Sequence, residues 1–320
     1  MEFEIDEVES VEFLNDDEQY VYDVGMLESP HTFFANDMLV HNSVYTDVGG
    51  LLLSMGINYE KFNDDKICSI VNEKLAPMVQ DLIQVAMEDL SYNSGRVKEN
   101  TIFFKRESIA RRGIFLEKKK YVMWEINGEG DVKTDKLKST GVEIIRSSTP
   151  TLAKKYLKQT VYNILKIMDR DKIVKELREI RNSFLEADVE SIAFPRGANN
   201  VKKYTDEYIK RQSFKGTPIH IRGSIEYNMM LEKKKNLMKK YDLIFEGDKI
   251  KFLYMKSSPT FRSNIIAFKD KWVKEFKLDE YIDRELQFEK SFLEPLKKFF
   301  ILLDWQIPNF NHVDLLELFS

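Results

Sequence analysis

The sequence predicts a multidomain chain of the α+β class, and three observations carry that expectation. Residues 1–42 hold twelve Asp and Glu and no Lys or Arg, and read as β; residues 43–146 mix a helical stripe with strand-like stretches; residues 147–308 are dominated by apolar residues at helical spacing. The whole chain has a formal charge of −4, but the first segment alone carries −12. That leaves 49 basic against 41 acidic residues beyond it, a net of +8 that suits a polyanionic partner such as nucleic acid. With 320 residues there is room for two or three cores. No apolar run approaches the ~18 residues that cross a bilayer, and no basic-then-apolar leader opens the chain, so a cytoplasmic protein with no membrane partner is expected. The single Cys68 excludes an internal disulfide framework and a cysteine-based zinc site; between Ile67 and Ile70 it reads as a buried small hydrophobe.

Taken in order, Phe3, Ile5, Val8, Val11 and Phe13 recur among carboxylates with a period of two or three, which suits an edge strand or a segment ordered by a basic partner. Tyr20–Leu27 and Thr32–Val40 are rich in β-branched and aromatic residues, with Asn36-Asp37 as the hairpin turn of the second. Residues 43–48 read as a strand. The apolar positions from Ile67 through Leu75, Met78, Leu82 and Val85 then mark a helix that Pro77 should kink or break. Thr101–Phe104 and Tyr121–Ile126 read as strands, joined by the basic Arg111-Arg112-Gly113 and Lys118-Lys119-Lys120. Ser148-Thr149-Pro150 reads as a hydroxyl cap with proline in the first turn, opening a helix with the stripe Ala153, Leu157, Val161, Ile164, Leu165 and Met168. Further helices are expected at 172–186, 203–212 and 283–303, with a hairpin near 241–255 turning at Glu246-Gly247-Asp248. The tail from Asn309 ends in an apolar cluster at Leu315, Leu316, Leu318 and Phe319.

The segments Val21–Val24 and His31–Ser43 resemble the two C-terminal sequence blocks of inteins, a hairpin ending in His41-Asn42 before Ser43. The chemistry explains the residue types. The Asn42 side-chain amide can attack its own carbonyl to give a succinimide and cut the chain, and the Ser43 oxygen can receive an upstream polypeptide before that cut. The resemblance implies that His41 acts as a general acid at the scissile bond, a task suited to imidazole near neutral pH. It also implies that Asp23 holds or activates Ser43 and that His31 relays protons. Serine needs neighbours to activate it, and the family's N-terminal nucleophile block is missing from these residues. The resemblance therefore implies the β-rich C-terminal half of a split Hint (intein) domain in 1–42, spliced in trans with a partner polypeptide that carries the N-half. The acidity of 1–42 would steer it toward a basic N-half. No cofactor is expected for splicing.

From Ser43-Val44-Tyr45 onward the chain resembles family B DNA polymerases of the T-even phage type, beginning just after the two metal-binding aspartates of the palm motif. Lys105-Arg106-Glu107-Ser108-Ile109 resembles the palm segment whose carboxylate, here Glu107, lies near the metals. Lys119-Lys120-Tyr121 resembles a motif contacting primer-template DNA, which gives Lys119 and Tyr121 that role. Residues 141–150 resemble the passage from palm to thumb, and His220-Ile221-Arg222-Gly223 with Tyr227 resembles a thumb motif that grips duplex phosphates through His220, Arg222 and Tyr227. Leu315, Leu316, Leu318 and Phe319 resemble a tail that binds the sliding clamp. The implied organisation is an α/β palm fragment at 43–146, a mainly helical thumb at 147–308 and a clamp-binding tail at 309–320. The resemblance implies no complete metal site in this chain. It implies Mg2+ only for the assembled polymerase, with its ligands mainly on a polymerase N-terminal fragment, in the host-cell cytoplasm if the source is viral. One rival reading is a DNA-binding polymerase subunit that assembles without ligation and carries an inactive intein relic. Another is a self-cleaving segment unrelated to splicing.

Overall fold

The computed structural model describes residues 33–35, 38–40, 45–94, 105–117, 119–142, 144, 146–258, 261–308 and 310. It is a mixed α/β chain dividing into two compact units, a smaller one of Met1–Ile109 with Ile126–Lys133 and a larger one of Ala110–Glu125 with Thr134–Ser320.

In the smaller unit, strands β1 (Phe33–Ala35) and β2 (Met38–Val40) pair antiparallel with Ala35 opposite Met38, the spacing a hairpin at 32–40 requires. The strand expected at 43–48 is corrected over the described residues 45–48. The Asp47 side chain accepts the Gly50 N–H at 3.0 Å and so caps helix α1 (Val48–Ser54), because a carboxylate satisfies an orphan first-turn donor. Helix α2 (Asp64–Ile70) runs through a wide five-residue π turn (Val71–Leu75) into α3 (Ala76–Ser94). The disturbance expected at Pro77 takes the form of that wide turn, which absorbs the residue lacking an N–H. Ile67, Val71 and Leu75 are buried, while Cys68 is only half-buried, with burial and then Asp64 raising its thiol pKa.

In the sheet of order β3-β4-β5, β3 is Ile109–Glu117, β4 Lys120–Gly128 and β5 Val132–Thr140. Arg111-Arg112-Gly113 lies within β3 rather than joining two strands, and Thr101–Phe104 falls outside the described residues. Helix α4 (Thr151–Ile167) buries Ala153, Leu157, Val161, Ile164 and Leu165 completely, but Met168 is its left-handed C-cap and is 42% exposed. Pro150, rather than a hydroxyl residue, takes the N-cap position, and its carbonyl accepts the Lys154 N–H at 2.8 Å.

Helices α5 (Arg170–Glu186), α6 (Val189–Ile192), α7 (Val201–Arg211) and α8 (Ile219–Lys233) surround a second sheet of β6 (Phe194–Gly197), β7 (Lys249–Tyr254) and β8 (Ile265–Phe268), antiparallel in the order β6-β7-β8. The hairpin expected at 241–255 is corrected. Glu246-Gly247-Asp248 does turn the chain, but it extends the pairing to β6 by exchanging hydrogen bonds with Ala198, and β7 pairs with β8 instead. Helices α9 (Arg284–Phe288) and α10 (Glu294–Leu302) flank a second π turn (Glu289–Leu293), again just before a proline, Pro295. Phe184, Phe288, Phe292 and Phe300 centre this unit's core, each at most 2% exposed.

Candidate nucleic-acid interface

The motif at 220–227 forms the first turns of α8, which packs directly on β8. A Cβ on Gly223 would lie 2.8 Å from the Ala267 nitrogen and 2.9 Å from the Ile266 carbonyl carbon, so only glycine permits this approach. On a helix, positions 220 and 227 share a face, while 222 lies nearly opposite. Accordingly Tyr227 is 2% exposed with its hydroxyl donating to the Asp242 carbonyl at 3.1 Å, and burial pushes its phenol up to about 12. From that position it supports the motif from inside the core. His220 is half-buried with its ring 6.4 Å from that of Phe252; burial first, and the Arg196 charge second, hold its pKa below the usual value.

Arg222 points the other way, into an open cleft of about 570 Å³. Three cations line it, Lys215, Arg222 and Arg262, together with Tyr208, Gln212, Ser213, Phe214, Ser263 and Asn264, and no carboxylate is among the lining residues. Each wall has a local cause. Helix α7 ends with Lys210 and Arg211 and a left-handed Gln212, favourable charges for a helix C-terminus. Tyr208 stacks on Phe214 with ring centroids 4.4 Å apart, and Gly216 takes the positive φ that brings the chain to Pro218. The Arg222 Nε donates to the Thr217 carbonyl at 2.7 Å, which fixes the side chain along the cleft. From the loop before β8, Arg262 donates to the Tyr208 hydroxyl at 2.7 Å and to Gln212 Oε1 at 3.3 Å. Fixed guanidinium donors beside hydroxyl and amide groups are a donor set whose chemistry suits phosphate oxygens.

The other expected DNA contacts lie elsewhere in the chain. Lys119 is exposed with φ +62° in the turn between β3 and β4, where its carbonyl would meet a Cβ on Gly141 at 2.3 Å; Tyr121 follows, its ring 5.7 Å from the half-exposed Phe115. Of the nearby basic residues, Arg112 caps α4 by donating to the Leu165 and Lys166 carbonyls at 2.8 and 3.0 Å. Lys120 and Lys298 converge on Glu117, holding its carboxyl down at about 2.

In the smaller unit Glu107 is exposed, between Lys105, which pairs with Glu129 at 2.8 Å, and Arg106, which donates to the Gly128 carbonyl at 2.9 Å. Among the described residues no group of three His, Cys, Asp or Glu could hold a metal ion. Asp23, His31, His41, Asn42, Ser43, Leu315, Leu316, Leu318 and Phe319 lie outside the described residues. Among these described residues no helix is long and apolar enough to cross a membrane.

Sequence reasoning missed Lys215, Arg262 and the aromatic and hydroxyl wall around them. The available signals were the basic end of the helix at 203–212 and the polar run Ser258-Pro259-Thr260-Phe261-Arg262-Ser263-Asn264 between two β-patterned stretches.

No family model matches this chain. Over much of its length it is a distant homologue of archaeal and phage DNA polymerases. It is 23% identical over 310 residues to a DNA polymerase of Methanocaldococcus jannaschii, covering 88% of this chain and 17% of that protein. It is 25% identical over 280 residues to the DNA-directed DNA polymerase of Escherichia phage RB69, covering 81% of this chain and 29% of that protein. Over 179 residues, 56% of this chain and 8% of the relative, it is 30% identical to a DNA polymerase of Thermococcus sp. strain GE8. The chain thus spans less than a third of each of these relatives.

Proposed function

We propose that this chain is the C-terminal portion of a replicative DNA-directed DNA polymerase that grips the primer-template duplex, and that residues 1–42 are the C-terminal half of a split intein removed at Asn42–Ser43 as the polymerase is joined to its N-terminal fragment. The observation that carries the polymerase reading is the extent of the match to the phage protein, 81% of this chain against 29% of the relative. The carboxylate-free cleft of Lys215, Arg222 and Arg262 supports it, since such a surface binds phosphodiesters without reading bases.

In this reading 43–146 belong to the palm, 147–308 to the thumb, and Leu315, Leu316, Leu318 and Phe319 tether the sliding clamp. Lys119 and Tyr121 meet the primer-template near the insertion site. The carboxylates that hold Mg2+ are on the partner fragment, with Glu107 as their neighbour. His41, His31 and Asp23 assist Asn42 cyclisation and transfer to Ser43, and the −12 charge of 1–42 attracts a basic intein N-half.

A second reading, assembly without ligation, draws support from α3. There Met78, Leu82 and Val85 follow one another along one face at 45%, 65% and 59% exposure, an apolar stripe that a partner could cover without a covalent bond. Co-expression with a polymerase N-terminal fragment ending in an intein N-half separates the two. The expected product is one ligated polypeptide lacking residues 1–42, lost in the Asn42→Ala/Ser43→Ala variant. An unspliced complex that extends primers would overturn trans-splicing, and cleavage at Asn42–Ser43 without ligation would point to a self-cleaving segment.

A further inference from the structure

Behind the cationic cleft stands a buried acid. Glu226 lies on α8 one turn beyond Arg222 and is 4% exposed. Its Oε1 accepts the backbone N–H of Arg262 at 3.2 Å, and its Oε2 has no hydrogen-bond partner among the described residues. A carboxylate is costly in an interior, and a neutral side chain of similar size would avoid that cost. Burial pushes the Glu226 carboxyl above its usual range, against the opposing pull of the Arg262 amide, the Arg262 charge, Lys233 and the Ser263 amide. What the acid holds is the backbone of the loop entering β8, between Phe261, 8% exposed, and Ser263, 5% exposed. From this loop Arg262 reaches Tyr208 and Gln212 across the cleft.

We infer that Glu226 is a positioning residue for phosphate binding: by accepting the Arg262 amide it fixes the backbone from which the Arg262 guanidinium enters the cleft. The inference rests on the reading of this cleft as a phosphodiester grip, and deepens it by adding a residue that never touches the ligand. On the same loop the Ser263 Oγ accepts the Ile265 N–H at 3.2 Å. Glu226 ties the same loop to α8, the helix that carries Arg222. Two of the three cations thereby share one scaffold.

The test measures binding of the full chain to a fluorescent DNA duplex by anisotropy across a salt series, for the wild type, Arg262→Ala, Glu226→Met, Glu226→Gln and the Arg262→Ala/Glu226→Met double variant. Methionine keeps the volume and removes the acceptor; glutamine keeps an acceptor oxygen. Expected results are a weakening of about tenfold for both Arg262→Ala and Glu226→Met, since each loses a charged hydrogen bond to phosphate. The salt slope should fall by about 1 in both, the double variant should be no weaker than Arg262→Ala, and Glu226→Gln should retain wild-type binding. Tryptophan fluorescence checks folding, and Glu226→Ser replaces the methionine variant if that fails to fold. A wild-type chain that binds no duplex overturns the cleft reading and this inference together. Wild-type binding that Arg262→Ala weakens but Glu226→Met leaves unchanged, additive losses in the double variant, or a glutamine variant as weak as the methionine one would each overturn the inference alone.

Discussion

Gly223→Ala places one methyl group where α8 meets β8. The added Cβ would lie 2.8 Å from the Ala267 nitrogen and 2.9 Å from both the Ile266 carbonyl carbon and the Ile265 Cγ2, whereas ordinary contact begins at 3.4 Å. The helix must therefore back away by about 0.6 Å, and two of the three opposing atoms are backbone, which cannot rotate aside. Overpacking of this kind costs about 1–3 kcal/mol. Exchanging glycine for alanine inside a helix returns about 0.5–1 kcal/mol. The expected net loss is up to about 2.5 kcal/mol, and Arg222, the preceding residue, moves with the helix. All three tryptophans, Trp124, Trp272 and Trp305, lie in the larger unit, so urea unfolding followed by their fluorescence reports the unit that contains the helix. Duplex affinity measured below the unfolding transition should fall as well. A variant as stable as the wild type, or more stable, would refute the packing argument.

Arg222→Ala should weaken duplex binding to a similar degree on any sequence and lower the salt slope by about 0.9, measured by anisotropy against several unrelated duplexes; a loss confined to one sequence would contradict a phosphate contact. Tyr227→Phe should cost about 1–2 kcal/mol in urea unfolding, because the Asp242 carbonyl loses its buried donor, while leaving duplex affinity unchanged. His220 is neutral in both folded and unfolded states well above pH 6.5. As pH falls through ~6.5 the unfolded chain takes up a proton that the folded chain, its imidazole pKa lowered by burial, resists. Stability should therefore decline with acidification from there, less steeply in His220→Gln, as seen in unfolding curves across that window.

Much of the fold was legible because side-chain periodicity records burial directly. The stripe from Ala153 to Leu165 was readable for that reason, and its end was missed because Met168 continues the apolar spacing into a left-handed cap. Where backbone groups were satisfied by particular distant partners, local pattern failed. Arg112 capping α4 from a strand and the 246–248 turn bonded to Ala198 are both choices that tertiary contacts make. The candidate site divided in the same way. Resemblance pointed to His220-Ile221-Arg222-Gly223, but helical geometry sends His220 and Arg222 to different faces and gives Gly223 a packing role. Lys215, Arg262 and Glu226 come from three segments that only the folded chain brings together, so no spacing in the sequence announces them.

The most direct test of the whole account is primer extension by the joined protein. Purified alone with Mg2+ and deoxynucleoside triphosphates, this chain should bind a primer-template and not extend it, and the product ligated through Ser43 to an N-terminal polymerase fragment should extend it. Extension by this chain alone, or a ligated product that neither binds nor extends the primer, would contradict it.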